Sequence, residues 1–324
     1  MGAYLVTGGA GFIGSHLSEA LLQAGHRVTV FDNFDPFYPR ALKEYNLRSL
    51  QAHQHFSLVE GDLRDPETVA DLWRKHGPFD MVVHLAAKAG VLPSIQDPAG
   101  YTATNIRGTQ HLLEQMVLHG PHKLVFASSS SVYGDSTPTP FSETAPCNQP
   151  ISPYAFTKRA CEFQNYTYHH LHGIDVLNLR FFTVFGPRQR PDLAINKFVR
   201  LARAGEPIPM YGDGSTARDY TYVGDTVQGV LAAITYLQQH SRVFETVNLG
   251  NHTPVKLIDL IHTVFEVLEV SGEINQLPMQ PGDVKITYAD IQKAQALLGY
   301  QPRTSFRQGL QQFIAWQDEA RQQV

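Results

Sequence analysis

Short apolar runs recur through the first half of the chain, at Tyr4–Thr7, Arg27–Phe31, His55–Val59, Met81–Leu85, Leu124–Ala127 and Val176–Phe181. Each has strand length and is nearly continuous in apolar residues, as expected where both faces of a sheet are covered. Between most of them lie helix-length amphipathic stretches, among them Phe12–Ala24, Glu67–Lys75 and Ile106–Leu118. Strands alternating with helices predict a doubly wound parallel sheet with right-handed crossovers. After about Thr183 the texture changes. Pro and Gly become denser, as in Gly186-Pro187 and Gly212-Asp213-Gly214, while helical patterns continue at Asn196–Ala204, Val223–Leu237, Leu257–Leu268 and Ser305–Glu319. With no long linker or repeat, the pattern predicts an α/β architecture of two parts. Residues 1–182 form the main domain and 183–324 a smaller C-terminal α/β lobe, with a chain free to cross back between them.

The 324 residues are 43% hydrophobic and 17% charged, with a formal net charge of −4. That balance fills a core and advertises neither a nucleic-acid surface nor an anionic-membrane one. Only Cys147 and Cys161 are present, without CxxC or a His/Cys cluster at metal spacing, so no metal is expected and a reducing, cytoplasmic setting is. No apolar run approaches membrane-spanning length, and glycines interrupt the one apolar stretch at the N-terminus, unlike a signal peptide.

Chemistry enters with Leu5-Val6-Thr7-Gly8-Gly9-Ala10-Gly11-Phe12-Ile13-Gly14, which runs from a strand directly into a helix. Gly8 permits the tight turn, Gly11 lets backbone approach a pyrophosphate, and Gly14 lets the helix lie close to the sheet. Phe12 and Ile13 begin the helix whose free N–H groups favour an anion. Glycines alone often mark nothing but tight packing. Here the second strand ends in Asp32-Asn33, about twenty residues downstream, where a carboxylate accepts from a ribose diol and repels a 2′-phosphate. The pair of features predicts a Rossmann domain binding NAD rather than NADP. Asp62-Leu63 follows the third strand at the adenine side, and Leu85-Ala86-Ala87 ends the fourth with small residues that admit the cofactor.

Tyr154 and Lys158 are four apart at a helix start after Pro153, on one face. A free tyrosine titrates near about 10; a lysine cation and a positive nicotinamide ring beside it both favour the phenolate. The motif follows Ser128-Ser129-Ser130-Ser131, a serine run after the fifth strand, whose C-terminal end borders the site in such a sheet.

Taken together, these motifs resemble the extended short-chain dehydrogenase/reductases over essentially the whole chain, and among them the UDP-sugar 4-epimerases. Further stretches carry the likeness toward UDP-glucuronate 4-epimerases: Asp32-Asn33-Phe34 with Tyr38 and Arg40, Ala89-Gly90-Val91 with Pro93-Ser94, Arg180–Pro187 with Arg190-Pro191-Asp192, and Pro278–Val284. The resemblance implies Tyr154, Lys158 and Ser129 as catalytic residues, with Ser128 and Ser130 beside them at the substrate. It also implies Thr183 and Arg190 on a sugar carboxylate, a neutral donor and a forked cation. A loop salt bridge is the plainer reading of Arg190. Lys197, Phe198, Met210 and Tyr211 fall at the uracil pocket, Arg218 at the diphosphate and Asp283 at the uridine ribose. Leu92 departs from the pattern, standing where the glucuronate enzymes often carry Arg. Helices near Ala103–Leu118 and Ala155–Leu171 match a homodimer interface in that family. The rival reading is a UDP-glucose/UDP-galactose 4-epimerase with the same chemistry. A 4,6-dehydratase carries an Asp-Glu pair after the serine or threonine, where this chain has Ser130-Ser131. A non-catalytic NAD-binding module commonly lacks the Tyr or Lys present here.

Overall fold

The computed structural model describes residues 1–279 and 284–321. Among these the strands are β1 (Ala3–Thr7), β2 (Arg27–Asp32), β3 (Phe56–Glu60), β4 (Met81–His84), β5 (Lys123–Ser129), β6 (Asp175–Phe181), β7 (Thr183–Phe185), β8 (Ile208–Tyr211), β9 (Ala217–Tyr222), β10 (Phe244–Leu249), β11 (Pro254–Lys256) and β12 (Ile274–Leu277). A seven-stranded sheet has the order β10-β6-β5-β4-β1-β2-β3, parallel throughout. The order reverses between β1 and β4, which opens a crevice beyond their C-terminal ends.

Both faces are covered, which explains the uninterrupted apolar runs. Tyr4 and Val6 of β1 pack into one core with Leu17, Leu21, Val227 and Val230, while Leu5 between them joins Leu72, Leu112 and Met116 on the opposite face. Local signals set the helix ends. Asp65 accepts from the Glu67 N–H at 3.1 Å ahead of helix Pro66–His76, whose last turn carries Arg74, Lys75 and His76. Ser152 caps helix Pro153–His172 through the Ala155 N–H, and Gly173, at φ +68°, ends it in the left-handed conformation.

Past residue 183 the chain builds a three-stranded sheet, β11-β9-β7, and a two-stranded one, β12-β8. Helices Ala194–Ala204, Leu257–Leu268 and Phe306–Arg321 enclose a third core around Phe185, Phe198, Leu260 and Phe313. The chain also returns to the first sheet, where β10 lies beside β6 with Phe244 opposite Val176.

Several boundaries differ from the sequence reading. β4 stops at His84, so Leu85 lies in the loop, and β5 runs on to Ser129, two residues past the expected end. The helix expected from Ile106 is α-helical over Gly108–His119, preceded by a π-helical turn, Thr102–Arg107. A helix at Arg40–Leu47, not foreseen, follows β2.

Candidate active site

The glycine loop sits at the reversal point. Gly8 has φ +70°, and a Cβ there would lie 2.7 Å from the Ala86 backbone nitrogen. A Cβ on Gly14 would collide with the Gly8 carbonyl oxygen, and one on Gly11 would stand 3.2 Å from it. Helix Phe12–Gln23 starts at Gly11 with no side-chain cap, so the first-turn N–H groups of Phe12 and Ile13 stay available to an anion. Asp32 is buried at the end of β2. It accepts from Ala10 N at 3.1 Å and Phe34 N at 2.9 Å, with the Lys43 ammonium 3.9 Å away. Two of about four carboxylate acceptor positions are thereby used, leaving room for a ribose diol. Burial raises the Asp32 pKa, and Lys43 opposes that rise. On the adenine side Asn33 donates to Asp62 at 3.0 Å, and Arg64 pairs with Asp62 at 2.6 Å. Burial works against ionisation of Asp62, yet Arg64 and Asn33 hold its carboxyl at about 2. The buried Leu63 follows, its carbonyl accepting from His111 at 2.8 Å. The tight turn, the uncapped helix start and the carboxylate on β2 together fit a dinucleotide.

The floor of the crevice is a polar chain that the sequence reading missed. Thr7 Oγ1 lies 2.6 Å from His84 Nδ1, and His84 Nε2 lies 2.9 Å from Thr109 Oγ1. Burial pushes His84 down to about 3, so the ring is neutral. Asn105, in the π-helical turn, accepts from the Lys88 N–H and donates to the Lys88 carbonyl and to Thr157 Oγ1. It ties the loop carrying Ala86 and Ala87 to the helix that bears Tyr154 and Lys158. The π-turn leaves no mark in the sequence.

Ser129 ends β5 and Tyr154 lies in the first turn of helix Pro153–His172, where Ser129 acts to lower the phenol's pKa. Lys158 is buried and donates to the Ala127 carbonyl at 2.7 Å, its pKa lowered by burial to about 8. The lysine half of one expectation does not hold. In the protein alone the Tyr154 pKa is raised, because burial outweighs Ser129 and the Arg190 cation, and Lys158 is not among the groups that shift it. Ser131 Oγ donates to Ser129 Oγ at 2.9 Å, which orients the Ser129 hydroxyl. Ser128 does not join this group. Its hydroxyl donates to Glu162 at 2.6 Å inside a buried cluster with Arg159 and Arg180. Ser130 begins the short 3₁₀ turn Ser130–Tyr133.

From the C-terminal half, Thr183 opens β7 and Arg190 extends from the loop after it. Arg190 does form the loop salt bridge, binding Asp192 at 3.0 and 2.7 Å. It also stacks over Phe37, 5.0 Å from the ring centroid, and acts electrostatically on Tyr154 and Tyr38. The segment after Asp32 thus reaches across to the Arg190 loop, bringing in Phe37, Tyr38 and Lys43. Phe198 and Met210 are buried in the third core, while Lys197 and Tyr211 beside them are partly exposed. Arg218, on β9, donates to the Ala217 carbonyl at 2.8 Å. Asp283 lies outside the described residues.

Comparison with known proteins agrees with this arrangement. The family profile described as GDP-mannose 4,6 dehydratase matches residues 5–313. The UDP-glucuronate 4-epimerase of Thermodesulfobacterium geofontis is 38% identical over 320 residues, 98% of this chain and 97% of that protein. Among solved structures, UDP-glucuronic acid 4-epimerase from Bacillus cereus, in complex with UDP-glucuronic acid and NAD, superposes with TM-score 0.92 at 35% identity, covering 98% of this chain and 99% of that one. UDP-glucose 4-epimerase from Thermotoga maritima, with UDP-glucose, gives TM-score 0.89 at 31% identity, covering 98% and 99%. The chain therefore belongs to the extended short-chain dehydrogenase/reductase family, in its group of NAD-dependent UDP-sugar 4-epimerases.

Proposed function

We propose that the protein inverts C4 of UDP-glucuronate, giving UDP-galacturonate through a transient 4-keto sugar. The observation that carries this reading is the placement of Tyr154 and Lys158 one turn apart in a helix against the end of β5, where Lys158 binds the Ala127 carbonyl and Ser129 follows, with Arg190 on the loop after β7 stacked over Phe37. Tyr154, as phenolate, takes the proton of the sugar 4-OH, and Ser129 hydrogen-bonds the same oxygen. NAD, which the glycine loop and Asp32 would hold, would supply the acceptor for the C4 hydride and give it back to the opposite face. Lys158, beside the Ala127 carbonyl, would hydrogen-bond the nicotinamide ribose. Turning the keto sugar about its diphosphate presents the other face to the same residues.

Arg190 and Thr183 hold the carboxylate, which distinguishes this substrate from UDP-glucose. A 4-ketouronate is a β-keto acid, and it loses CO₂ when the C5–carboxylate bond aligns with the carbonyl π system. A two-point grip on the carboxylate keeps that bond out of alignment. Arg218 faces the diphosphate, Lys197, Phe198, Met210 and Tyr211 line the uracil pocket, and Asp283 meets the uridine ribose. On this reading residues 1–182 carry the dinucleotide and residues 183–324 the UDP-sugar.

The working form is a homodimer in the cytoplasm. Exposed Phe156, Phe163, Tyr166 and Leu171 on helix Pro153–His172, with Leu118 on Gly108–His119, offer an apolar face for a second copy. The unpaired thiols of Cys147 and Cys161 suit a reducing compartment.

The test is to incubate the protein separately with UDP-glucuronate and UDP-glucose and identify the sugars by NMR. UDP-galacturonate as the dominant product is expected. A pentose nucleotide with CO₂ overturns the assignment, and faster turnover of UDP-glucose makes the neutral sugar the substrate.

A further inference from the structure

Arg190 sits on a loop whose backbone is bent in ways its own residues do not favour. Gly186 has φ +136°, and Arg188, which is not glycine, is held at φ +64°. Such a residue persists only where its surroundings fix it. The surroundings here are on the dinucleotide-binding helix. His16 Nε2 donates to the Pro187 carbonyl at 2.9 Å, and Glu19, one turn on, pairs with Arg188 at 2.7 Å. Both Arg188 and Glu19 are partly buried, and His16 is kept neutral, its pKa pushed down to about 4 by burial and by Arg188. From the other side Asn196 donates to the Gln189 carbonyl at 2.9 Å, and Gln189 to the Val184 carbonyl at 3.3 Å. Residues 187–189 are therefore gripped from two helices, and the next residue is Arg190.

We infer that Glu19 and His16, with Arg188, are positioning residues that aim Arg190 at the sugar carboxylate, so that the helix cradling the dinucleotide also sets substrate choice. This rests on the reading of Arg190 as the carboxylate's partner. Neither Glu19 nor Arg188 touches the reacting atoms. Losing their pair frees the loop and lets the guanidinium settle on Asp192 alone. The effect falls on recognition of the charged sugar and spares the neutral one.

The experiment compares kcat/KM for UDP-glucuronate and UDP-glucose in Glu19→Gln, Arg188→Asn and Arg190→Ala. Asn tolerates positive φ, so Arg188→Asn removes the ion pair without imposing a new backbone. Bound NAD and thermal unfolding are followed to establish that each variant is folded and loaded. Glu19→Gln and Arg188→Asn are expected to lower the glucuronate-to-glucose ratio by about three- to fivefold, the range of a partly exposed ion pair. Most of that change is expected in KM for UDP-glucuronate. The double variant should be no worse than either single one, and Arg188→Lys should restore most of the ratio. If Arg190→Ala collapses the ratio while the two clasp variants keep it within error of the parent, the positioning role alone is wrong. If Arg190→Ala leaves the ratio unchanged, the carboxylate reading fails and this inference falls with it.

Discussion

Arg180 of β6 binds both carboxylate oxygens of Glu162, at 2.9 and 2.8 Å, with each side chain only 2% exposed. Arg159 adds a third contact at 2.7 Å and Ser128 a fourth at 2.6 Å. Breaking a buried pair strands the surviving charge, so Glu162→Gln is expected to destabilise the protein by about 3 kcal/mol. Burial opposes ionisation of Glu162, but its three partners, Arg180, Ser128 and Arg159, prevail and hold the pKa below the usual glutamate value. A depressed carboxylate pKa stabilises the fold above the unfolded-state pKa, and that stability is lost as pH falls through the folded value. Chemical denaturation at pH 7 and at acid pH checks both points: the gap between parent and variant should narrow on acidification.

The two buried histidines predict a second loss at milder pH. His84 and His16 are pushed down to about 3 and about 4, whereas an unfolded histidine titrates near 6.5. The unfolded chain therefore binds more protons below that value, and stability falls as pH drops. Each histidine contributes a slope of up to about 1.4 kcal/mol per pH unit. His84→Asn should reduce the slope between pH 6 and 4 by one histidine's share. An unchanged slope would mean that His84 is not buried in the neutral form.

Gly14→Ala drives a methyl group into the Gly8 carbonyl. Overpacking of this kind costs about 1–3 kcal/mol, equivalent to about a five- to 150-fold loss in dinucleotide retention. The measurement is NAD released on denaturing the desalted protein; Gly25→Ala, strained by its φ of +79° but with open space for its methyl, controls for a loss of stability away from the loop.

Tyr154→Phe removes the base and should lower kcat by about 10²- to 10⁴-fold, with bound NAD unchanged. Ser129 and Arg190 both pull the Tyr154 pKa down against burial. Removing either one raises it, so the acid limb of the kcat profile should move to higher pH in Ser129→Ala and in Arg190→Ala. A limb that stays put in both variants assigns that ionisation to another group.

Much of this was readable because period and position carry physical meaning. The strands of the large sheet announce themselves by being apolar on both faces, as Tyr4, Leu5 and Val6 are. The glycine loop, Asp32, Tyr154 and Lys158 fall where a chain of this topology must bring them together. The serine run was harder. Ser128 and Ser129 are adjacent in a strand, and alternate residues face opposite sides, so only one of them can turn toward Tyr154. The strand's extension to Ser129 decides which. Strands as short as Thr183–Phe185 and Pro254–Lys256 have no periodicity to detect. Lys43, Asn105 and the Glu19–Arg188 pair depend on long-range contacts, across as many as 169 positions for the last, and no local pattern encodes those.

The placement of β10 beside β6 has a consequence for synthesis. When the first 182 residues have left the ribosome, six of the seven sheet strands exist, but the edge of β6 has no neighbour. It waits until Phe244–Leu249 emerges, more than sixty residues later. During that interval the unpaired edge is open to other nascent chains. A substrate lobe exchanged at residue 183 would therefore have to supply a strand that pairs in register with β6.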